Sequence, residues 1–287
     1  METMPAIKSS AIREYMFKVG GLPDADLDLV MAAISLAAQD SPDLSVEKYY
    51  HHIEKMIVQT KARFEALMTA GSADDAGTRL AALKHVIADE HEYRGDLQTY
   101  DDLQNANIIR VIERRKGLPI ALAILYVHVG QAVGFDVRAL SFPAHVICRL
   151  DHHGERLVFD PFDGCKMMQA PDLRQMLKKL IGEKAELSTA YFEASTKRQM
   201  LVRLQNNIKL RQIEAEDYKG ALNTVEALQK IDPDEYRLLL DSGVLNARTG
   251  QLKKAIEQLE EYIAKAPAGP DRYEAEIFLR EIQNNLT

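Results

Sequence analysis

The stretch FPAHVICRLDHHGERLVFDPF, Phe142 to Phe162, carries the residues best able to do chemistry. It reads as two short strands around a turn, with a histidine near one outer end and an aspartate near the other. With the turn placed over residues 151–154, antiparallel pairing sets Leu150 opposite Glu155, Cys148 opposite Leu157, Val146 opposite Phe159 and His145 opposite Asp160. Opposed residues have Cβ atoms roughly 4.5–5.5 Å apart, close enough for a carboxylate to accept a ring N–H and fix the imidazole tautomer. The register therefore predicts a His145–Asp160 dyad. Alternation sends Val146, Cys148, Leu150, Leu157 and Phe159 to the other, apolar face. A histidine held in this way is two thirds of a nucleophilic triad, needing a thiol or hydroxyl whose proton the ring can take.

The third group must be brought by another element. A helix N-terminus suits a thiol, because its dipole and free N–H groups favour the thiolate. Residues 119–133, PIALAILYVHVGQAV, begin with a proline suited to a first helical turn and are apolar nearly all round, as expected of a helix enclosed by neighbours. From Arg110 through Leu140, however, there is no Cys, Ser or Thr. Cys148 falls on the apolar face and reads as core. Cys165 lies five residues beyond Asp160, in a turn after DPFDG from which a loop could curl back to the dyad. Two readings stay open: a cysteine-dependent amide hydrolase or acyl transferase, with Cys165 or a group not recognised from the sequence as nucleophile and His145 as base, or a dyad that fixes the sheet and does no chemistry.

Other titratable clusters carry less. His51 with His52 and His152 with His153 are adjacent pairs whose side chains point apart, and no third ligand follows at a matching spacing. Asp89, Glu90 and His91 lack the His-Glu-x-x-His pattern. His128, within the apolar helix, reads as a hydrogen-bonded core residue. No metal and no cofactor is expected.

The elements around the dyad are mostly helical. Apolar spacing predicts helices over 24–38, over 45–69 with Ser45 as cap, over 75–90 and over 103–115, the last two separated by the turn-rich HEYRGDLQTYDD. The strands DVRALS, AHVICRL and ERLVFD follow, then a helix near DLRQMLKKLIG, giving an α+β region with a small antiparallel sheet. From about residue 203 the pattern is all helical. KGALNTVEALQKIDP recurs after 34 residues as KKAIEQLEEYIAKAP, matching Ala221 with Ala255 and Pro233 with Pro267. Gly243 sits where paired helices would cross closely. This period resembles the tetratricopeptide repeat, in which each helix pair buries its apolar face against the next. The expected division is 1–195, helical region and α+β core, and 196–287, repeats ending in a capping helix.

Composition narrows the function classes. Of 287 residues, 46% are hydrophobic and 28% charged, and no apolar run approaches the roughly 18–20 residues of a membrane helix, so no membrane role is expected. A net charge of -7 and pI of about 5.7 give no global footprint for nucleic acid, and the local patch Arg110, Arg114, Arg115 and Lys116 reads as a solvated helix end. Two cysteines and an N-terminus without an apolar signal core fit a reducing, cytoplasmic location. Oligomeric state has no signature here.

The glycine-led entry into the buried helix, then GFDVR, then one strand bearing His and another bearing Asp-Pro, resembles the transglutaminase-like core of papain-type cysteine proteases and transglutaminases, whose order is Cys, His, Asp. More closely, YRGD from Tyr93, Tyr100–Asp101, Asn105, VIERRKGLPIAL from Val111, FPAH from Phe142 and FDPFDG from Phe159 resemble the SirB-type bacterial proteins, which join a transglutaminase-like domain to C-terminal tetratricopeptide repeats. The resemblance spans nearly the whole chain. It implies that His145 is the base and Asp160 its orienting carboxylate, with the cysteine due near Pro119 missing. It also sets Ala121 where serine is common and Ala144 where glycine precedes the histidine. Tyr93, Arg94, Tyr100, Asn105 and Arg114 belong to its motifs and are candidates to line a groove beside His145. The implied function is a non-catalytic interaction, scaffold or regulatory protein that holds a protein or peptide partner through its repeats and the remnant cleft. Recognition of a small peptide or cell-wall fragment in that cleft is a further alternative.

Overall fold

Apolar periodicity in the opening third produces α1 (Ser9–Val19), α2 (Leu29–Ala37), α3 (Glu47–Thr69) and α4 (Ala76–Lys84). The computed structural model describes residues 8–39, 41 and 43–284. These fall into two compact units, residues 8–15 with 23–204 and residues 16–22 with 205–284.

Short polar side chains set the helix starts. Asp28 accepts the Met31 N–H at 2.8 Å at the head of α2, which splits the helix expected over 24–38 into a 3-10 turn (Asp24–Asp26) and α2. Asp75 caps α4 through Thr78 N at 2.7 Å. Ser45 does not cap α3. Its hydroxyl is taken by Glu47 Oε2 at 2.6 Å, and the Val46 N–H goes to Ser9 Oγ instead. Beyond α4 the chain continues as a π-helical turn, His85–Glu90, to the end of the expected helix.

The expected helix over 103–115 is also shorter. A 3-10 turn, Leu103–Asn105, precedes α5 (Ile108–Arg114), because Asn107 Oδ1 accepts the N–H groups of Ile109 and Arg110. A two-residue parallel pair, β1 (Arg94–Gly95) with β2 (Lys116–Gly117), ties the loop before α5 to the turn after it. Next comes α6 (Pro119–Ala132), with Pro119 in its first turn and residues buried on every side.

The sheet is β3 (Asp136–Ala139), β4 (Cys148–His152), β5 (Glu155–Asp160) and β6 (Lys166–Met167), antiparallel in that order. The β4–β5 register differs from the expected one by two residues. Leu150 faces Leu157, Cys148 faces Phe159 and His152 faces Glu155. The turn is the tight pair His153–Gly154, both at positive φ (45° and 84°), the conformation whose twist matches flanking strands. Asp151 stays in the ladder, where its carboxylate meets Arg149 and Arg156. A shift of two preserves side-chain parity, so Cys148, Leu150 and Phe159 are buried as expected. His145 lies outside the strand, in the loop that leads into β4.

After β6, α7 (Ala170–Ile181) starts with a reciprocal capping box between Gln169 and Asp172. Its Leu173 and Leu177 pack with Leu140, Phe142 and Ile147. The remaining helices are α8 (Lys197–Glu214), α9 (Tyr218–Ile231), α10 (Arg237–Arg248), α11 (Leu252–Lys265) and α12 (Pro270–Asn284). The repeated motif occupies α9 and α11, with Ala221 and Ala255 fully buried. Gly243 sits at the α10–α11 crossing, where an added Cβ would stand 2.7 Å from Leu259 Cγ. The fold is thus the expected α+β domain followed by all-α repeats. Among the described residues, no helix is long and apolar enough to cross a membrane.

Candidate functional site

His145 and Asp160 meet despite the altered register. Pairing Cys148 with Phe159 would set Ile147 opposite Asp160, so the imidazole reaches the carboxylate from the preceding loop. Its Nε2 lies 3.0 Å from Asp160 Oδ2, with the side chains 10% and 4% exposed. Asp160 Oδ1 accepts the Phe162 N–H at 2.9 Å, which orients the carboxylate from the other side. With Nε2 donating to Asp160, Nδ1 is the ring nitrogen free to exchange a proton with a third group.

The loop bearing His145 is held from within the first unit. Arg203, on the part of α8 in that unit, donates from Nη2 to the carbonyls of His145 (2.5 Å) and Phe142 (3.1 Å). Ala144 takes φ +53°, a left-handed value that glycine adopts without cost. The glycine expected there by resemblance thus corresponds to a real backbone demand.

Phe162 covers the dyad. Its ring stands edge-on to His145 at 5.9 Å between centroids and to Tyr100 at 5.8 Å. It also lies so close over Gly95 that an added Cβ would be 2.5 Å from the ring. Gly95 therefore gives Phe162 its seat, and the Gly95 N–H donates to Phe162 O at 3.0 Å.

The five candidate binding residues separate. Tyr100 reaches the site through Phe162. Asn105 and Arg114 turn inward to brace the loop. Arg114 donates to Asp96 Oδ2 (2.7 Å) and Asn105 Oδ1 (2.8 Å), while Asn105 Nδ2 donates to Thr99 O. Asp96 also accepts from Gln98 N, Thr99 N and Thr99 Oγ1. Burial raises the Asp96 pKa, but the Thr99, Gln98 and Arg114 hydrogen bonds outweigh it and hold the carboxyl well below its usual range. Tyr93 is buried, its hydroxyl accepting from Arg115, whose Nη1 also donates to His52 Nε2 at 2.6 Å. Burial and the neighbouring Arg115 push His52 down to about 4, which keeps that ring neutral. Arg94 points outward from β1.

Cys165 is 3% exposed, and Cys148 is fully buried. Burial pushes the Cys165 thiol up to about 12, with the Tyr126 hydroxyl beside it pulling the other way. That hydroxyl makes no hydrogen bond of ordinary geometry. A nucleophilic thiol needs the opposite, a depressed pKa and an open approach. Where the triad's cysteine was expected, the entry to α6 is Gly117, Leu118 and Pro119, and the first-turn residues Ile120 and Ala121 are buried. His128 lies 3.7 Å from Asp28 within the core, its pKa lowered chiefly by burial. Among the described residues, no group of three or more His, Cys, Asp or Glu is placed to hold a metal ion.

Asp96, Phe162 and Arg203 were not singled out from the sequence. Asp96 and Phe162 lie inside the motifs YRGD and FDPF, which is a signal of sorts. Arg203 is about 60 residues from its acceptors and had none.

The second unit offers a concavity of about 460 Å³, lined by α8, α10 and α12 and the start of α9. Ile213, Leu240, Val244 and Phe278 give it apolar walls, and Asp271 and Glu274 carry charge at its edge.

Comparison with known proteins accords with both units. The model of the transglutaminase-like superfamily matches residues 47–206, and a tetratricopeptide repeat model matches residues 208–280. A UPF0162 protein of Xylella fastidiosa is 25% identical over 248 residues, covering 85% of this chain and 86% of that one. A UPF0162 protein of Vibrio cholerae is 26% identical, covering 87% and 91%. F-box only protein 21 of Mus musculus is 26% identical over 168 residues, covering 56% of this chain and 26% of that one.

Proposed function

Because the chain belongs to the transglutaminase-like superfamily through residues 47–206, we propose that it is a non-catalytic member acting as an interaction scaffold, holding a protein or peptide partner in the groove of its repeats. Repeats of this kind generally mediate protein–protein contact through a concave face. The observation that carries the reading is the groove itself. It is open, apolar-walled and large enough for several side chains, whereas the dyad is nearly closed beneath Phe162. The absence of Cys, Ser and Thr from Arg110 to Leu140 and the raised pKa of Cys165 favour the non-catalytic side.

The test uses the intact chain carrying Val244→Arg, which charges the groove wall, or His145→Ala, which breaks the dyad. Crosslinking in cells that make the protein should give a partner lost with Val244→Arg and kept with His145→Ala. The reverse pattern would overturn the scaffold reading. It would favour the alternative, a cysteine-dependent amide hydrolase or acyl transferase, which the preserved 3.0 Å His145–Asp160 contact supports.

A further inference from the structure

We propose that the groove of the second unit is selective for a basic amphipathic segment, apolar along one side with Lys or Arg beside it. This rests on the groove being the docking site. Its volume of about 460 Å³ is roughly three times that of a cavity that takes one benzene, so about three apolar side chains can be received. Ile213, Leu240, Val244 and Phe278 supply walls for them.

The charge at the edge fixes the complement. Asp271 and Glu274 are three residues apart on α12 and thus share one helix face, about 4.5 Å apart along the axis. Both are exposed, and among the described residues neither forms an ion pair or a side-chain hydrogen bond; the Arg237 guanidinium acts on Asp271 only through space, and Glu274 has no such neighbour. The third carboxylate of the lining, Asp241, is held by Lys209. Among the described residues of the lining, the one cation is Arg248, which lies over the Tyr218 ring at 5.9 Å. The helix dipole accounts for acids in the opening turns of α12 but not for their facing the groove. A cationic segment meets two open carboxylates there, while an acidic one is repelled and its charges left unpaired.

The experiment is fluorescence anisotropy on the full chain with three synthetic helical peptides sharing a leucine stripe and carrying Lys, Gln or Glu at the flanking positions. The Lys peptide should bind about five- to thirtyfold more tightly than the Gln peptide, and the Glu peptide more weakly still. Asp271→Asn with Glu274→Gln should weaken the Lys peptide about five- to thirtyfold, the effect of losing two rim ion pairs, and flatten its salt dependence. Glu226→Gln with Glu257→Gln, exposed acids outside the lining, should change nothing. Equal binding of all three peptides, lost with Val244→Arg, overturns the selectivity and leaves the groove as docking site. Equal weakening by the outlying pair overturns the assignment to Asp271 and Glu274. Failure of every peptide to bind overturns the docking reading as well.

Discussion

Asp96→Asn should loosen the loop that carries Tyr100 toward the dyad. Asp96 is 3% exposed and receives four hydrogen bonds, two of them at 2.7 Å from Thr99 Oγ1 and Arg114 Nη2. Asparagine keeps an acceptor for the Gln98 and Thr99 amides at Oδ1 but turns an NH2 toward the other two partners. The Thr99 hydroxyl can rotate to accept; the guanidinium cannot. A charge-assisted hydrogen bond is worth about 1.5–3 kcal/mol, and removing one member of a buried ion pair can cost about 3–5 kcal/mol. Because the Arg114 side chain is 27% exposed, water recovers part of the loss, and about 2–3 kcal/mol is expected. Hydrogen exchange at Gln98 and Thr99 should then run about 30- to 150-fold faster near neutral pH, where reclosing outpaces chemical exchange and the rate reports the opening equilibrium. The Asp96 pKa is lower folded than unfolded, so its contribution is fully present above the unfolded value of about 3.9 and is lost as pH falls toward the folded one. The wild-type and Asp96→Asn stabilities should therefore converge in acid. A cost below about 0.5 kcal/mol, or additivity of Asp96→Ala and Arg114→Ala within about 0.3 kcal/mol, would refute the bracing argument.

Ala144→Gly should stabilise the first unit by about 0.5–1 kcal/mol, read by urea denaturation, because relief of the φ +53° strain exceeds the added entropy of the unfolded chain. A loss of stability would show the loop to be unstrained. Gly243→Val should cost the second unit about 1–3 kcal/mol by thermal denaturation followed by circular dichroism, since its Cβ would stand 2.7 Å from Leu259 Cγ and must push the α10–α11 crossing apart. An unchanged midpoint would mean that Leu259 moves aside freely.

The repeats were legible in detail because each helix pair must bury the same face in the same way, so period, small residues and breakers recur together. The dyad was legible for a different reason. His145 and Asp160 flank the hairpin, so closing it brings them near each other, and the loop before β4 takes up the register shift of two. The turn itself was misplaced, since DHHG reads as a four-residue turn unless His153 and Gly154 are both known to take positive φ while Asp151 pairs with Arg149 and Arg156. The two-residue strands β1, β2 and β6 are too short to leave an alternation. Asn105 and Arg114 matched motifs that could have meant binding. Whether such polar groups face a ligand or a buried carboxylate depends on where Asp96 lies, and that is set by the tertiary fold.

A non-catalytic scaffold leaves Cys165 no role as a nucleophile beside His145. Its alkylation by iodoacetamide in the native intact protein, followed site by site by mass spectrometry from about pH 6 to about pH 10, tests this directly. Slow modification is expected, rising with pH without a neutral plateau and unchanged by His145→Ala. Rapid modification with an inflection near neutrality, abolished by His145→Ala, would contradict a non-catalytic scaffold.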